Sequence, residues 1–543
     1  MQALLGFILA MSVTMVLMPL LMRWAVPLGI IDMPEARKVH ATPVPRIGGV
    51  AMGGGICAAL LLGSPGISVM PALLTGILIL VCFGIWDDRY ALGAAPKFAG
   101  QGIAALVVIL WGGVSIASLT LPDRVDLPAW IALPLTFFFL LGGTNAFNLA
   151  DGLDGLAGGM AMLCFCGTAL LAFTVSNNAL AGISVVFVGA VIGFLRFNTH
   201  PARVFMGDSG SQLLGFSAAV LAVLLTQDPQ APLSTALPLL LMGMPIIDTL
   251  TVMSERLLAR RSPFKADRRH IHHRLLAIGL GHRQAVSTLY VLQTLLFIAA
   301  WYLRFATDAA VLLVFAAFVA VLLAGLHAAE RARNGMRRSD PRPAPATGGV
   351  PAATGSPGAR AVVNGVLIAT LLAWAAWVVA FGAAARGGLG VLAMSLALLL
   401  GLSVTLRWNR ADVSGLERMA LYSGATLAIY LAKRATPAPN HHALAEYVVF
   451  PLMALATVAI VRQSRNRRFL LTPLDLLVLV VALVLPNLPD SSMNTPALGV
   501  GLAELVLVCY ALEALCFSPL PGTRWLRSLT ALFLLAVAVR PLL

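Results

Sequence analysis

The sequence predicts an all-α, polytopic transmembrane helical protein, and three observations carry that expectation. Hydrophobic residues make up 59% of the 543 residues and charged residues only 11%, with a mean hydropathy of +0.90. A water-soluble enzyme with a polar surface could not carry that composition. Apolar runs of roughly 17 to 25 residues, long enough to cross a bilayer as helix, recur along the chain. They lack the short alternating pattern of a membrane barrel, and only helices or closed barrels satisfy their own backbone in lipid.

The first half holds apolar runs near 3–22, 47–63, 68–86, 98–116, 130–143, 156–174, 179–195, 213–226, 233–250, 287–305 and 309–328, about eleven helices. The first run lacks the basic flank and small-residue cleavage site of a secretory signal, and is expected to remain as a transmembrane helix. Residues 331–360 are basic, then rich in Pro, Ala, Thr and Gly, and predict a flexible cytoplasmic linker. Runs near 361–383, 389–407, 417–432, 446–461, 470–486, 497–517 and 526–543 follow, about seven more helices. The expected division is therefore a membrane domain at 1–330, the linker at 331–360 and a second membrane domain at 361–543, with no repeat relating the halves.

The net charge of +14 reports topology here and excludes no partner by itself, but nucleic acid is the wrong inference. If the first helix runs outside to inside, one set of loops holds Arg37, Lys38, Arg46, Arg89, Lys97, Arg196, Arg203 and the basic stretch from Arg256 to Arg283. The opposite loops hold little beyond Arg124 and Arg304, so the positive-inside rule places the amino terminus outside and the basic loops in the cytoplasm. In the second half Lys433 and Arg434 depart from that pattern. The six cysteines all lie in apolar runs without paired spacing, and read as small core residues, not as a disulfide frame or a zinc site.

Every polar cluster of the first half falls in the cytoplasmic set of loops, as a site assembled on one membrane face requires. The first is Asp32-Met-Pro-Glu-Ala-Arg37-Lys38-Val-His40, followed by Arg46, Gly48 and Gly49, and reads as a positive-inside anchor or an anion-binding loop. The second is Asp87-Asp88-Arg89 with Lys97 and Gln101. Adjacent carboxylates repel, so the pair points to a divalent cation or to one raised pKa suited to proton transfer, with salt bridging as the structural alternative.

In the third cluster Asn145, Asn148, Asp151 and Asp154 stand three residues apart. Such a row drifts about 60° per step on a helix. Asn145 and Asn148 are therefore expected in a loop or broken turn, with Asp151 and Asp154 sharing a helix face. Acids this close to hydrocarbon are costly and mark a site by default. The fourth cluster, Asn198-Thr-His200 through Gly207-Asp208-Ser209-Gly210-Ser211, surrounds one acid with small residues. That suits phosphate oxygens on backbone N–H groups and a magnesium ion on the carboxylate, or an ordinary helix cap. The fifth, from Arg256 to Arg274, includes His270, His272 and His273; its many cations fit a pyrophosphate better than zinc.

In this order and spacing the five clusters resemble the polyprenyl-phosphate N-acetylhexosamine-1-phosphate transferases of glycosyltransferase family 4, over about residues 1–330. The matching segments are Asp-x-Pro-x-x-Arg-Lys-x-His, Asp-Asp-Arg with Lys97, Asn-x-x-Asn-x-x-Asp-Gly-x-Asp-Gly-Leu-Ala, Phe-Met-Gly-Asp-Ser-Gly-Ser and His-Ile-His-His-Arg, with Asp248 at a further recurrent position. The resemblance implies that undecaprenyl phosphate attacks the β-phosphorus of a UDP-sugar with magnesium, or manganese as the alternative ion, releasing UMP and starting a lipid-linked glycan such as O-antigen. Carried onto matching positions, it implies that Asn148 and Asp208 hold the metal and that Asp87 or Asp88 deprotonates or positions the lipid phosphate. Lys97 would steady the diphosphate, Asp151 would count among the catalytic acids and Asp154 would bind uracil. His270, His272, His273 and Arg274 would hold the sugar-phosphate end, with Lys38, His40 and Asn145 also on substrate.

The His-Ile-His-His-Arg form favours the branch using UDP-N-acetylglucosamine over muramyl-pentapeptide transfer, which usually shows three consecutive histidines. The implied setting is a bacterial cytoplasmic membrane, with bilayer, undecaprenyl phosphate and UDP-N-acetylhexosamine as partners and a homodimer as the oligomer considered. The second membrane domain is the departure from the family; Glu504, Glu513 and Asp475 are its site candidates by the cost of an acid in lipid. A transporter is the alternative from another class, but it would place polar sites near the midplane, often in repeated halves.

Overall fold

The computed structural model describes residues 2–33, 43–63, 67–121, 123–260, 269–339, 357–385, 387–405, 410–434, 448–463, 504–512, 514–515 and 524–542. These residues are almost entirely helical, and among them nine helices are long and apolar enough to cross a membrane. The chain is an all-α, multi-pass membrane protein. It divides into two compact units, with the change after Arg342.

The first unit begins with α1 (Gln2–Leu28), a short hairpin of β1 (Ile31–Asp32) and β2 (Val44–Pro45), α2 (Gly48–Gly63), α3 (Met70–Tyr90) and α4 (Ala94–Leu110). A second hairpin, β3 (Ser118–Leu121) and β4 (Asp123–Asp126), leads to α5 (Ala129–Ala150), α6 (Leu156–Thr174), α7 (Asn178–Asn198) and α8 (Gly207–Thr226). The unit closes with α9 (Pro238–Leu241), α10 (Gly243–Leu258), α11 (Ile271–Ile278), α12 (His282–Tyr302) and α13 (Asp308–Ser339). Helices α6 and α8 are the most enclosed of the spanning helices, so they form the centre of the unit.

Successive spanning helices alternate in direction, which brings the carboxyl ends of α3, α5 and α7 together with the amino ends of α4, α6, α8 and α12. Contacts among Asp87, Lys97, Asn148, Asn198, Gly155 and Asp208, and of His282 with Asp154, show this directly. The other end of the unit is tied by Gln227 to Ser118 and by Asp308, whose carboxylate accepts from Thr120 N, Ser234 Oγ and Ala236 N at 2.6, 2.6 and 3.0 Å. Glycines set the closest approach at the site end. A methyl at Gly49 of α2 would overlap the backbone of Gly210, and one at Gly84 of α3 would overlap Ser209, so both let the first turn of α8 be gripped.

Three expectations are corrected. Helix α5 runs on to Ala150, so Asn145 and Asn148 are helical, while Asp151 through Asp154 lie in a turn and share no helix face. The Asn145 amide donates to Leu141 O at 2.9 Å and to Gln101 Oε1 at 2.7 Å, so its polarity is satisfied without breaking the helix. The run at 233–250 is not one helix: it breaks at Met242 between α9 and α10. There Gln293 of α12 donates to Leu240 O and Leu241 O and accepts from Met244 N, satisfying the groups that the break frees. Finally, the predicted start of the linker at 331 falls inside α13; residues 340–356 are outside the described set.

In the second unit the described helices are Pro357–Phe381, Gly388–Thr405, Arg410–Lys433, Phe450–Gln463 and Arg524–Val539, with a further helical stretch at 504–512. Glu504 is buried and pairs with Lys433 at 2.9 Å, which accounts for a cation at a position that the charge pattern did not favour. Glu513 and Asp475 lie outside the described residues. Five cysteines, Cys57, Cys82, Cys164, Cys166 and Cys509, are free thiols, and Cys516 is outside the described set.

Candidate active site

The end of α3 is the starting point. Asp87 captures Leu92 N–H on its carboxylate at 2.7 Å just after Ala91 turns into the left-handed region, which ends the helix there. Its other oxygen meets Lys97 Nζ of α4 at 2.6 Å, and the same ammonium reaches Asp208 Oδ1 of α8 at 3.1 Å. Asn148 of α5 also meets Asp208 through its amide and reaches Ser211 Oγ at 2.8 Å. Four helix ends thus converge on one lysine, two carboxylates, an amide and a hydroxyl.

Asp88 does something different from its neighbour. Its carboxylate accepts from Asp208 N at 2.9 Å and from Ser209 N and Ser209 Oγ at 3.2 and 3.1 Å, so it caps the amino terminus of α8. Gly207, at φ +69°, makes the turn, and a side chain there would fall on the Asp88 carboxyl. Behind the centre, Gln101 links Asn145 to Gln212.

Asp151 leaves α5 at the edge of this centre. Removal from water, with the Asp208, Asp88 and Asp154 carboxylates around it, pushes its carboxyl up to about 7, and Arg46 opposes that rise. Arg46 arrives with the first hairpin, which is docked by Phe205 N on Pro45 O at 2.8 Å and pairs Arg46 with the buried Asp32. Lys38 and His40 lie outside the described residues.

Asp154 belongs to a second group. Its Oδ2 accepts from His200 Nδ1 at 2.6 Å and Ala202 N at 3.1 Å, while its backbone carbonyl meets His282 Nε2 at 3.3 Å. The two imidazoles stack with centroids 4.0 Å apart. Burial opposes its charge, yet His200, Ala202 N–H and His282 together hold the carboxyl below the usual carboxylate range. The same turn is fastened at Gly155 by Asn198 Oδ1 and by the Tyr290 hydroxyl.

The histidine segment forms a third group around Asp248 of α10. Ile271 N donates to Asp248 Oδ1 at 2.6 Å, beginning α11, and His270 Nδ1 donates to Oδ2 at 2.9 Å. His272 lies parallel to His270 and is buried, which pushes its imidazole down to about 3 against the pull of Asp248. The ring stands where a Cβ of Gly152 would be, so α11 rests on the acid turn. His273 is half-buried beside it. Arg274 spends its fork on Glu330 of α13, at 2.7 and 3.1 Å.

The structure thus brings Asp87, Asp88, Lys97, Asn145, Asn148, Asp151 and Asp208 to one centre, and sets Asp154 and the His270–Arg274 segment beside it. Sequence reasoning passed over the partners His282, Gln212 and Glu330. An acid at the end of an apolar helix is the signal that could have found Glu330; nothing local points to the other two.

Fold and site define a class: a polytopic α-helical membrane protein whose carboxylate, amide and ammonium groups meet at the helix ends on one side. Residues 70–226 match the profile described as glycosyl transferase family 4. The chain is 36% identical over 309 residues to the probable undecaprenyl-phosphate N-acetylglucosaminyl 1-phosphate transferase of Bacillus subtilis, covering 56% of this chain and 85% of that protein. It is 37% identical over 292 residues to the decaprenyl-phosphate N-acetylglucosaminephosphotransferase of Mycobacterium leprae, covering 48% and 73%. A Yersinia pestis undecaprenyl-phosphate alpha-N-acetylglucosaminyl 1-phosphate transferase is 30% identical over 268 residues, with 48% and 73% covered. The chain belongs to glycosyl transferase family 4, in the branch of these polyprenyl-phosphate transferases.

Proposed function

We propose that this protein transfers N-acetylglucosamine-1-phosphate from UDP-N-acetylglucosamine to undecaprenyl phosphate, releasing UMP and starting a lipid-linked surface glycan. The observation that carries the reading is the run Asp87–Lys97–Asp208–Asn148 at converging helix ends, together with relatives named for this class of transfer. Phosphoryl transfer is mainly a problem of positioning and charge, which such a centre addresses.

The donor set fits magnesium, which favours hard oxygens and keeps one or two carboxylates with substrate phosphate. Asp208 is the carboxylate and Asn148 the neutral partner; when bound, the ion would supply charge neutralisation at the transferring phosphate. Asp87 stands at the same lysine and takes or orients the proton of the lipid phosphate. Lys97 moves its charge between Asp87, Asp208 and the entering diphosphate. Asp88 holds the first turn of α8 so that Asp208 faces this point. Asp154 has Oδ2 committed to His200 and leaves Oδ1 for a nucleobase, and His272 rests on the acid turn with His270 and His273 beside it. Arg274 is best read as the strut that fixes α11 to α13.

The positive-inside pattern supports a bacterial cytoplasmic membrane setting, with the amino terminus outside and the centre on the cytoplasmic face. The test is UMP release by purified protein with undecaprenyl phosphate, magnesium and UDP-N-acetylglucosamine, with other UDP-N-acetylhexosamines in parallel. Release with one donor, lost on chelation, is expected. Silence with every donor from folded protein would overturn the reading.

A further inference from the structure

We propose that Asp248 is a positioning residue: its carboxylate docks the His270–Arg274 segment onto the Asp151–Asp154 turn and fixes the proton of His270 on Nδ1. The inference rests on the transfer reaction above for its kinetic consequence, and on contacts alone for its structural one.

Asp248 lies in the first half of α10, a helix that starts at the break after Met242, and it is buried. Each oxygen has its own task. Oδ1 takes Ile271 N–H at 2.6 Å, the first amide of α11, so the carboxylate both ends the preceding loop and sits at the positive end of a new helix. Oδ2 faces His270 Nδ1 at 2.9 Å and lies 4.0 Å from His272 Nδ1. A carboxylate only accepts, so His270 carries its proton on Nδ1, and Nε2 is the nitrogen it can offer to a ligand.

A second observation shows where the docked segment points. His272 is almost fully enclosed, and its Nε2 has no hydrogen-bond partner although the ring presses on Gly152, between Asp151 and Asp154. A buried polar atom without a partner is uncommon and marks a place where a ligand or an unusual constraint acts. One anchor therefore holds His270 directly and sets the segment that carries His272 over the acid turn, although Asp248 itself need not touch substrate.

The experiment compares full-length wild type with Asp248→Asn, Asp248→Ala and Asp248→Glu. Histidine carbethoxylation by diethyl pyrocarbonate, mapped residue by residue by mass spectrometry, reads docking without any turnover, with the exposed His327 as internal control. In Asp248→Ala, labelling of His270 and His272 should rise about tenfold while His327 is unchanged. Asp248→Asn keeps an acceptor for Ile271 N–H but offers its amide to His270, which reverses the favoured tautomer. It should raise the donor KM or lower kcat about tenfold or more, with the thermal midpoint preserved. Combined with His270→Gln it should add little to the single loss, because both act through one group. Asp248→Glu, anionic but one carbon longer, should restore part of the activity lost in Asp248→Asn.

Unchanged labelling in a folded Asp248→Ala protein would overturn docking, and fully additive losses with His270→Gln would overturn action through that histidine. If Asp248→Ala does not fold, Asp248→Asn turnover decides, with an unchanged donor KM and kcat in the folded protein overturning the proposal. If wild type shows no UMP release, the transfer reading fails while the labelling result still stands.

Discussion

Asp87 and Asp88 are neighbours, and replacing each by asparagine should separate two kinds of work. Asp88 accepts three hydrogen bonds from the first turn of α8, two from backbone amides and one from the Ser209 hydroxyl. Hydrogen bonds to a charged acceptor contribute about 1.5–3 kcal/mol each, and a buried donor left without one costs about 1–3 kcal/mol. Asp88→Ala strands the two backbone donors, while the Ser209 hydroxyl keeps Met206 O at 3.4 Å, and should cost about 3–6 kcal/mol; Asp88→Asn keeps one oxygen and should cost about 2–3 kcal/mol. The same loss releases Asp208, and a displacement near 1 Å at a phosphoryl-transfer centre lowers turnover about 100-fold. Asp87→Asn leaves that cap alone and gives up the Lys97 pair, which is partly exposed, so turnover should fall with the thermal midpoint nearly kept. The assay is paired: thermal unfolding in detergent and UMP release on the same preparation. An Asp88→Asn protein as stable as wild type but inactive would refute the capping role and return Asp88 to the position of direct proton acceptor.

Two more predictions concern the acid turn. Asp151 has its carboxyl pushed from 3.8 to about 7, so between those values the folded protein holds more protons than the unfolded chain and stability falls as pH rises. Asp151→Asn should therefore show a higher thermal midpoint than wild type at pH 8, with the difference closing towards pH 4; an offset independent of pH would remove the raised carboxyl from the account. Gly152→Ala should place a methyl on the His272 ring and lift α11 from the turn. Its donor KM should rise about tenfold with stability little altered, as a local misplacement of binding groups would produce, and an unchanged KM would show that the contact is incidental.

Much of the fold was legible because a bilayer forces helices to announce themselves as long apolar runs. The run at 156–174 coincides with α6, and those near 68–86 and 179–195 differ from α3 and α7 by a few residues. The end of α5 was missed because Asn145, Asn148, Asp151 and Asp154 stand three residues apart, a row that drifts around a helix and so read as a broken turn. Asn145 finds its partner in the Gln101 side chain of another helix, which no local pattern contains. The break after Met242 was missed for a related reason: Gln293, many residues later, makes it affordable.

The chemistry divides in the same way. The sequence by itself determined that acids, amides, a lysine and histidines would gather on one side of a membrane protein, since ionisable groups are expelled from hydrocarbon to helix ends. It also carried the family, through motifs that need only order and spacing. Only the tertiary structure decided which acid does which work. Asp87 and Asp88 lie about 100° apart around α3, so one meets Lys97 and the other the amino end of α8. Asp151 and Asp154, three residues apart, face different groups because a turn separates them, and Asp154 finds His200 and His282 from elements 46 and 128 residues away. Such partnerships depend on how helices pack, and packing is a property of surfaces brought together from distant parts of the chain.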